Sequence, residues 1–436
     1  MIAISVLNIR TESLFESKVL KIALKSLLPA CLGLMLGGAA QAQSYLPPQA
    51  AVRMAVEQSP TVQAADAARR GAEARAKGLR AGPHETVVSA TGQRRWARDG
   101  SGQRFTEGQL AIERPLRLWG KADADAKLAD ATQVSGHVAA QDARHEAARQ
   151  LLALWFAALR AQQARLSAQD NAAAAAELAR ITERRLRAGD AAKLESELAA
   201  AEQARVEAAL ASAQATETAA LAELQASFPG LCSPSCMFGQ AATALPQPLS
   251  LAAAQLRTRY IEQSHEYLFA KAEETVALSQ ARRMDLERHP DPTVGVFATS
   301  ERGGAERIAG VSFSLPLGST YRQSQAAAAL AEADAALSRR LAVERRLGAE
   351  FDVLWSQLGG KRAAAQAQAQ AASLQRSAAE RTLRAYRAGE SGLPELLTAR
   401  RVLADALLAE NLARSEAQES DSRLRLDLHE LWDFDD

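Results

Sequence analysis

Two cysteines, two glutamates and two arginine-glycine turns are the residues of this 436-residue chain with chemistry to offer. Cys232 and Cys236 lie in Cys-Ser-Pro-Ser-Cys, which can close a small disulfide loop or, with Met237, present soft sulfur to a metal. No histidine stands nearby in sequence to complete such a site, so a local disulfide is expected and no metal is assigned. The six histidines are scattered, without His-Glu-x-x-His or any clustered ligand spacing. No Ser/His/Asp arrangement, phosphate loop or dinucleotide fingerprint stands out. The chain is therefore read as a non-enzyme with no cofactor.

What these residues share is repetition. Leu186-Arg187-Ala188-Gly189-Asp190 recurs about 200 residues later as Tyr386-Arg387-Ala388-Gly389-Glu390. Glu195 recurs as Glu395, each six residues after its glycine, and Leu154-Trp155 recurs as Leu354-Trp355. Pro115-Leu116 returns as Pro316-Leu317, each time between a strand-like stretch and an Ala-rich one. A duplicated chain with few chemical groups points to architecture as the carrier of function.

The ends and the charge narrow the class. Residues 1–42 read as an export signal: Lys18, Lys21 and Lys25 precede an apolar stretch, Leu27 to Ala40, and Ala40-Gln41-Ala42 offers small residues for cleavage. Leu28-Pro29-Ala30-Cys31 loosely matches a lipoprotein cleavage box. Pro29 fits it poorly and most of the apolar run follows Cys31, so cleavage after Ala42 is expected in place of lipidation at Cys31. With 52 basic against 51 acidic residues, the chain lacks the basic surplus that nucleic-acid binding requires. No later run of 18 apolar residues could form a transmembrane helix.

Two repeats flank a link: repeat 1 over 43–228, a Pro- and Cys-bearing link over 229–249, and repeat 2 over 250–436. Ala, Leu, Glu, Gln and Arg, all strong helix formers, dominate. Each repeat opens with a helix (about 50–81 and 250–288) and continues into a hairpin (85–115 and 293–316). Each then runs into a proline-free helix from Leu116 or from about residue 320, roughly 100 Å long at 1.5 Å per residue. Turns near 188–190 and 388–392 lead into return helices. Leu337, Leu341, Phe351, Leu354 and Leu358 form one apolar stripe, and Trp155 and Trp355 are expected to pack between helices. In the second hairpin Val311, Phe313 and Leu315 alternate with Gly310, Ser312 and Ser314, giving one apolar and one small polar face.

Four such strands cannot close a barrel, and open edges invite aggregation, so closure needs further copies of the chain. Strands of about ten residues with one apolar face match outer-membrane strands, with Trp96 and Phe105 as candidates for an aromatic girdle. The alternative is a pair of soluble hairpins packed on helices.

With its two hairpin-plus-helix repeats, its paired Arg-Ala-Gly tips and Pro115-Leu116-Arg117-Leu118-Trp119-Gly120-Lys121, the chain resembles the TolC-like outer membrane factor family across nearly all of its mature length. The resemblance implies a mainly α protein with a small transmembrane β part. Three protomers would form a twelve-stranded outer-membrane β-barrel, four strands each, continued by a long periplasmic α-helical coiled-coil barrel with an equatorial belt near 229–249. It implies a homotrimer in outer-membrane lipid, extending into the periplasm. Its partners would be a periplasmic adaptor (membrane fusion) protein and an inner-membrane pump of RND type.

By the same resemblance the tips Arg187, Ala188, Gly189, Asp190, Arg387, Ala388, Gly389 and Glu390 are where the adaptor docks, besides being helix ends. Glu395 falls where relatives often carry the first of two aspartates ringing the closed entrance, and the second place holds Thr398. Glu195 is the counterpart of Glu395 in repeat 1. Inward-facing carboxylates there would favour cations. The Pro115–Lys121 segment is most similar to the heavy-metal (CzcC-like) cation efflux branch. The expected function is a passive exit duct of a tripartite efflux system, and the resemblance to the cation efflux branch implies metal cations as its solute. An organic-solute or drug efflux duct, a type I secretion duct, or a periplasmic coiled-coil scaffold without a pore remain alternatives.

Overall fold

The computed structural model describes residues 45–96, 100, 102–232, 238, 245–318, 320–432 and 434. The expected export signal, Cys31 and Cys236 lie outside the described residues. The chain divides into two units. The smaller, residues 1–48 with 237–243, contributes only Tyr45 to Pro48 and Phe238 to the described residues, none of them in a helix or strand. The larger, residues 49–236 with 244–436, holds all the described helices and strands.

In the larger unit the first helical run is two helices, α1 (Gln49–Glu57) and α2 (Pro60–Ala81), where the sequence suggested one. Pro60 is the cause. A residue before proline is disfavoured in the helical region, and Ser59 is extended (φ −62°, ψ 132°) while Pro60 opens α2. After the hairpin β1 (Val87–Trp96) and β2 (Arg104–Pro115) comes α3 (Lys121–Ala188), of 68 residues, then α4 (Lys193–Ser227), of 35. The helix expected over 250–288 is also divided, into α5 (Ala253–Gln263) and α6 (His265–Leu286), by an extended Ser264 (ψ 124°). A second hairpin, β3 (Thr293–Glu301) and β4 (Glu306–Ser314), leads into α7 (Thr320–Arg387) and α8 (Leu393–Asp427), again 68 and 35 residues. The repeat is thus metric as well as verbal. At about 1.5 Å per residue each 68-residue helix is roughly 100 Å long. Among the described residues no helix is long and apolar enough to cross a membrane.

The four strands form one antiparallel sheet in the order β1-β2-β3-β4, so the two hairpins meet along β2 and β3. Ile112 lies opposite Val88 on one side and Val296 on the other, and Val296 opposite Val311.

The helical core is built from side chains at helical spacing. On α3, Leu151, Leu152, Trp155, Phe156 and Leu159 are buried, and on α7 Phe351 and Leu358 close against Leu256, Tyr260, Leu424 and Leu428 of α5 and the end of α8. Trp355 stacks on Phe351 of its own helix (ring centroids 6.0 Å apart) and packs against the cluster that α5 and α8 share with α7, as expected, and Trp155 is buried. Full burial of such a side chain stabilises by about 1.5–3 kcal/mol. The expected α7 stripe is buried only in part: Leu337 and Leu341 each remain 39% exposed in the single chain.

Candidate functional site

Directly paired residues share a face of the sheet, and that rule sorts its side chains into two surfaces. On one, Val88, Leu110, Ile112, Val296, Val311 and Phe313 are all large, apolar and between 49% and 83% exposed. The other is polar. Gln93 Nε2 donates to Glu107 Oε2 at 2.8 Å, Arg95 Nε pairs with Glu107 Oε1 at 3.1 Å, and Ser312 Oγ donates to Glu113 Oε1 at 3.1 Å. Glu107 is buried beneath this network although the sheet is open. Trp96 lies on the apolar face and is exposed, as a girdle residue should be. Phe105 does not: it sits opposite Arg95, on the polar face, and the girdle expectation for it is corrected. Among the described residues β1 and β4 each have one unpaired edge.

The sheet is joined to the helices by Pro115–Lys121. The long helix was expected from Leu116 but begins at Lys121, because the chain must first turn. Leu116 N–H donates to the Pro292 carbonyl (2.8 Å), Trp119 Nε1 donates to the Pro290 carbonyl (3.2 Å), and Trp119 itself is left-handed (φ 61°). Lys121 is fully buried. Its ammonium donates to Glu287 Oε2 (3.1 Å) and the His289 carbonyl (2.8 Å) and pairs with Asp291 Oδ2 (3.0 Å). Arg283 bridges Asp125 and Glu287, each at 2.5 Å, and Arg117 pairs with Asp125 while donating to the carbonyls of Leu79 and Arg80. Burial pushes the Glu287 carboxyl up, but hydrogen bonds from Arg283 and Lys121 outweigh it and hold it below its ordinary value. Asp291 is likewise raised by burial and lowered further by Lys121 and His84. The segment is a knot between the ends of α2, α3, α6 and β3.

At the far ends of the long helices the two tips repeat one another in hydrogen bonds. Gly189 (φ 81°) and Gly389 (φ 77°) take the left-handed position that closes a Schellman motif. Asp190 N–H donates to the Arg185 carbonyl and Gly189 N–H to that of Leu186; Glu390 and Gly389 do the same to Ala385 and Tyr386. Arg187, Ala188, Gly189, Asp190, Arg387, Ala388, Gly389 and Glu390 are all exposed. The tips are locked side by side. Arg185 Nη1 donates to the Tyr386 hydroxyl (2.9 Å), and Leu178, Ala199, Leu393 and Leu396 bury one another behind them.

No protein-family model matches the chain, and no curated protein matches it. Solved structures do. The outer-membrane channel OprN is 20% identical, with 88% of this chain and 90% of that one covered at a TM-score of 0.71. The outer membrane protein VceC from Vibrio cholerae is 17% identical, with 88% and 96% covered at 0.69. CusC, solved in a study of folding and transmembrane channel formation, is 13% identical, with 89% and 92% covered at 0.66. The fold is that of the outer-membrane channels.

Within this channel fold Glu195 and Glu395 hold equivalent places, the third residue of α4 and of α8. A carboxylate in the first turn is favoured there by the helix dipole, whatever else it does. They differ in exposure: Glu395 is exposed, whereas Glu195 is half-buried with Oε2 screened from solvent. Thr398 is exposed and its hydroxyl donates to the Pro394 carbonyl at 2.8 Å. Cys232 is disulfide-bonded; the pairing expected with Cys236 falls on a residue outside the described ones.

Two clusters escaped sequence reasoning. One is the pairing of Lys121 with residues 166 to 170 positions away. The other is histidine: His145, His265 and His429, scattered in sequence, stand together in space. Neither has a local signal, because each is assembled only when the two repeats dock.

Proposed function

We propose that this chain is the outer-membrane exit duct of a tripartite efflux system, a homotrimer passively conducting solute that an inner-membrane pump delivers through a periplasmic adaptor. The observation that carries the reading is the joint: a sheet with one apolar face and two unpaired edges continues into two helices roughly 100 Å long. Edge-to-edge closure of three four-stranded sheets gives twelve strands, with lipid on the apolar face and water on the polar one. Leu330, Leu337 and Leu341, exposed at heptad-like spacing on α7, supply apolar surface for a neighbouring copy. A duct of this kind fractionates with outer membrane and runs as a heat-modifiable trimer in electrophoresis. Recovery in the soluble periplasmic fraction would identify a scaffold.

The tips are the adaptor contact in this reading. A Cβ at Gly189 or Gly389 would meet nothing within 4 Å, so Gly189→Trp and Gly389→Trp alter the presented surface and local backbone without disturbing packing. The left-handed strain is about 1–2 kcal/mol per site. The double variant is expected to keep its trimer and to lose adaptor crosslinking and export. Retained crosslinking would remove the tips from the contact.

The solute class we infer is cationic, metal ions included, on the strength of the carboxylates Glu195 and Glu395 beside the tips. In planar-bilayer recordings Glu195→Gln with Glu395→Gln should lower cation over anion permeability several-fold. Unchanged selectivity would turn the reading toward organic solutes.

A further inference from the structure

Three imidazoles from three separated segments converge in the helical body. His145 is on α3, His265 is the first residue of α6, and His429 follows the end of α8. Their ring centroids are 5.5 Å (His145 to His265), 5.4 Å (His145 to His429) and 4.8 Å (His265 to His429) apart. Each ring offers a nitrogen, and the three nitrogens lie within 4.8 Å of one another. A tetrahedral ion with metal–nitrogen bonds of about 2.0–2.1 Å needs its ligands roughly 3.4 Å apart, so small rotations of the rings suffice. Nδ1 of His265 and Nε2 of His429 are both screened from solvent.

The surroundings favour ligation. His145 Nε2 lies 3.2 Å from Asp427 Oδ1. With Asp427 ionised, Nε2 carries the proton and Nδ1 keeps the lone pair, the carboxylate–histidine arrangement that orients metal ligands. Asp427 is held in turn by Arg149 Nε (2.8 Å), Arg423 Nε (2.8 Å) and the Tyr260 hydroxyl (3.3 Å), and the two guanidiniums also pair with Glu146 and Glu350 respectively. Burial lowers the proton affinity of the His145 imidazole, against the opposing pull of Asp427. Asp142 stands near the same arginine.

We propose that His145, His265 and His429 form a binding site for one borderline divalent transition-metal ion per chain, of the zinc, cobalt, nickel or copper class that imidazole suits. The ion would fasten the C-terminal cap of α8 to the middle of α3 and to the start of α6. It is a resident of the helical body, and the site stands whether or not the chain conducts metal.

The test uses the full, tag-free chain purified in detergent and stripped with a chelator. Titration with CoCl2 should give one ion per chain, with the intense visible absorption of tetrahedral cobalt, and should raise Tm as its concentration passes Kd. His429→Gln and His265→Gln should each lose the stoichiometric absorption and the Tm rise, whereas His137→Gln, an exposed histidine outside the cluster, should keep both. Variants are read at a temperature where circular dichroism shows full helix, so loss of binding is separated from loss of fold. The proposal is overturned if the stripped wild-type chain takes up no cobalt in the micromolar range, or if the cluster variants bind as it does.

Discussion

Lys121→Met is expected to cost the protein about 3–5 kcal/mol, the usual consequence of removing one partner from a buried ion pair. Methionine replaces the aliphatic stem, so packing is nearly kept and the lost ammonium is the change. It leaves Glu287 with Arg283 and Asp291 with His84, and it strips the His289 carbonyl of its donor. The pH dependence identifies the cause. In the native chain both carboxyls are held below their ordinary values of 4.5 and 3.8. They therefore contribute stability that is present above those values and is lost as pH falls through the lower folded ones. Without Lys121 the burial that raises both groups is less opposed. The deficit of the variant should be full at pH 7 and shrink below about pH 4.5, where protonated carboxyls no longer need an ammonium. Denaturant midpoints at pH 7 and pH 4 measure it. Equal deficits at both would assign the effect to packing. Adding Glu287→Gln and Asp291→Asn should recover part of the loss, because the uncompensated charges are then gone.

Lys121 also marks the boundary between what could be read from the sequence and what could not. The long helices were legible because their signals are local: Ala-rich, proline-free runs stop at Gly189 and Gly389, and a glycine is needed where φ is positive. The strand faces were legible from alternation, and the error at Phe105 came from reading residue type ahead of parity. Five positions separate Phe105 from Leu110, which places them on opposite faces. Pro60 announced the break before α2, but nothing local announces Ser264, where neither proline nor glycine interrupts the run. The tips were found because duplication doubled their signal. The knot at Lys121 and the histidine cluster were not found, since their partners lie more than a hundred residues away and are brought together by docking of one repeat on the other. Periodicity predicts which face is buried; it does not say which charge on that face meets which.

Asp427→Ala should be as damaging as Lys121→Met, about 3–5 kcal/mol, and for a complementary reason. Here the anion is the hub. Asp427 is 2% exposed and answers Arg149, Arg423, Tyr260 and His145 at once, drawing α3, α5 and the end of α8 together. Burial alone would raise its carboxyl, yet these donors hold it well below the usual range, which fixes it as the ionised partner. Removing it leaves Arg149, only 12% exposed in its side chain, with the exposed Glu146 as its remaining ion pair among the described residues and Asp142 nearby. Arg423 keeps a 3.6 Å contact with Glu350 and is 30% exposed in its side chain, more than Arg149, so its share of the cost is smaller. Asp427→Asn keeps the shape and one acceptor oxygen and should lose less than alanine, while Arg149→Leu alone should lose less than Asp427→Ala because one donor of several is removed. In the pair Asp427→Ala with Arg149→Leu the losses should be clearly sub-additive, by about 1 kcal/mol or more, as expected for residues in one network. Additive losses would mean that the two side chains act independently and that the hub does not exist as an energetic unit.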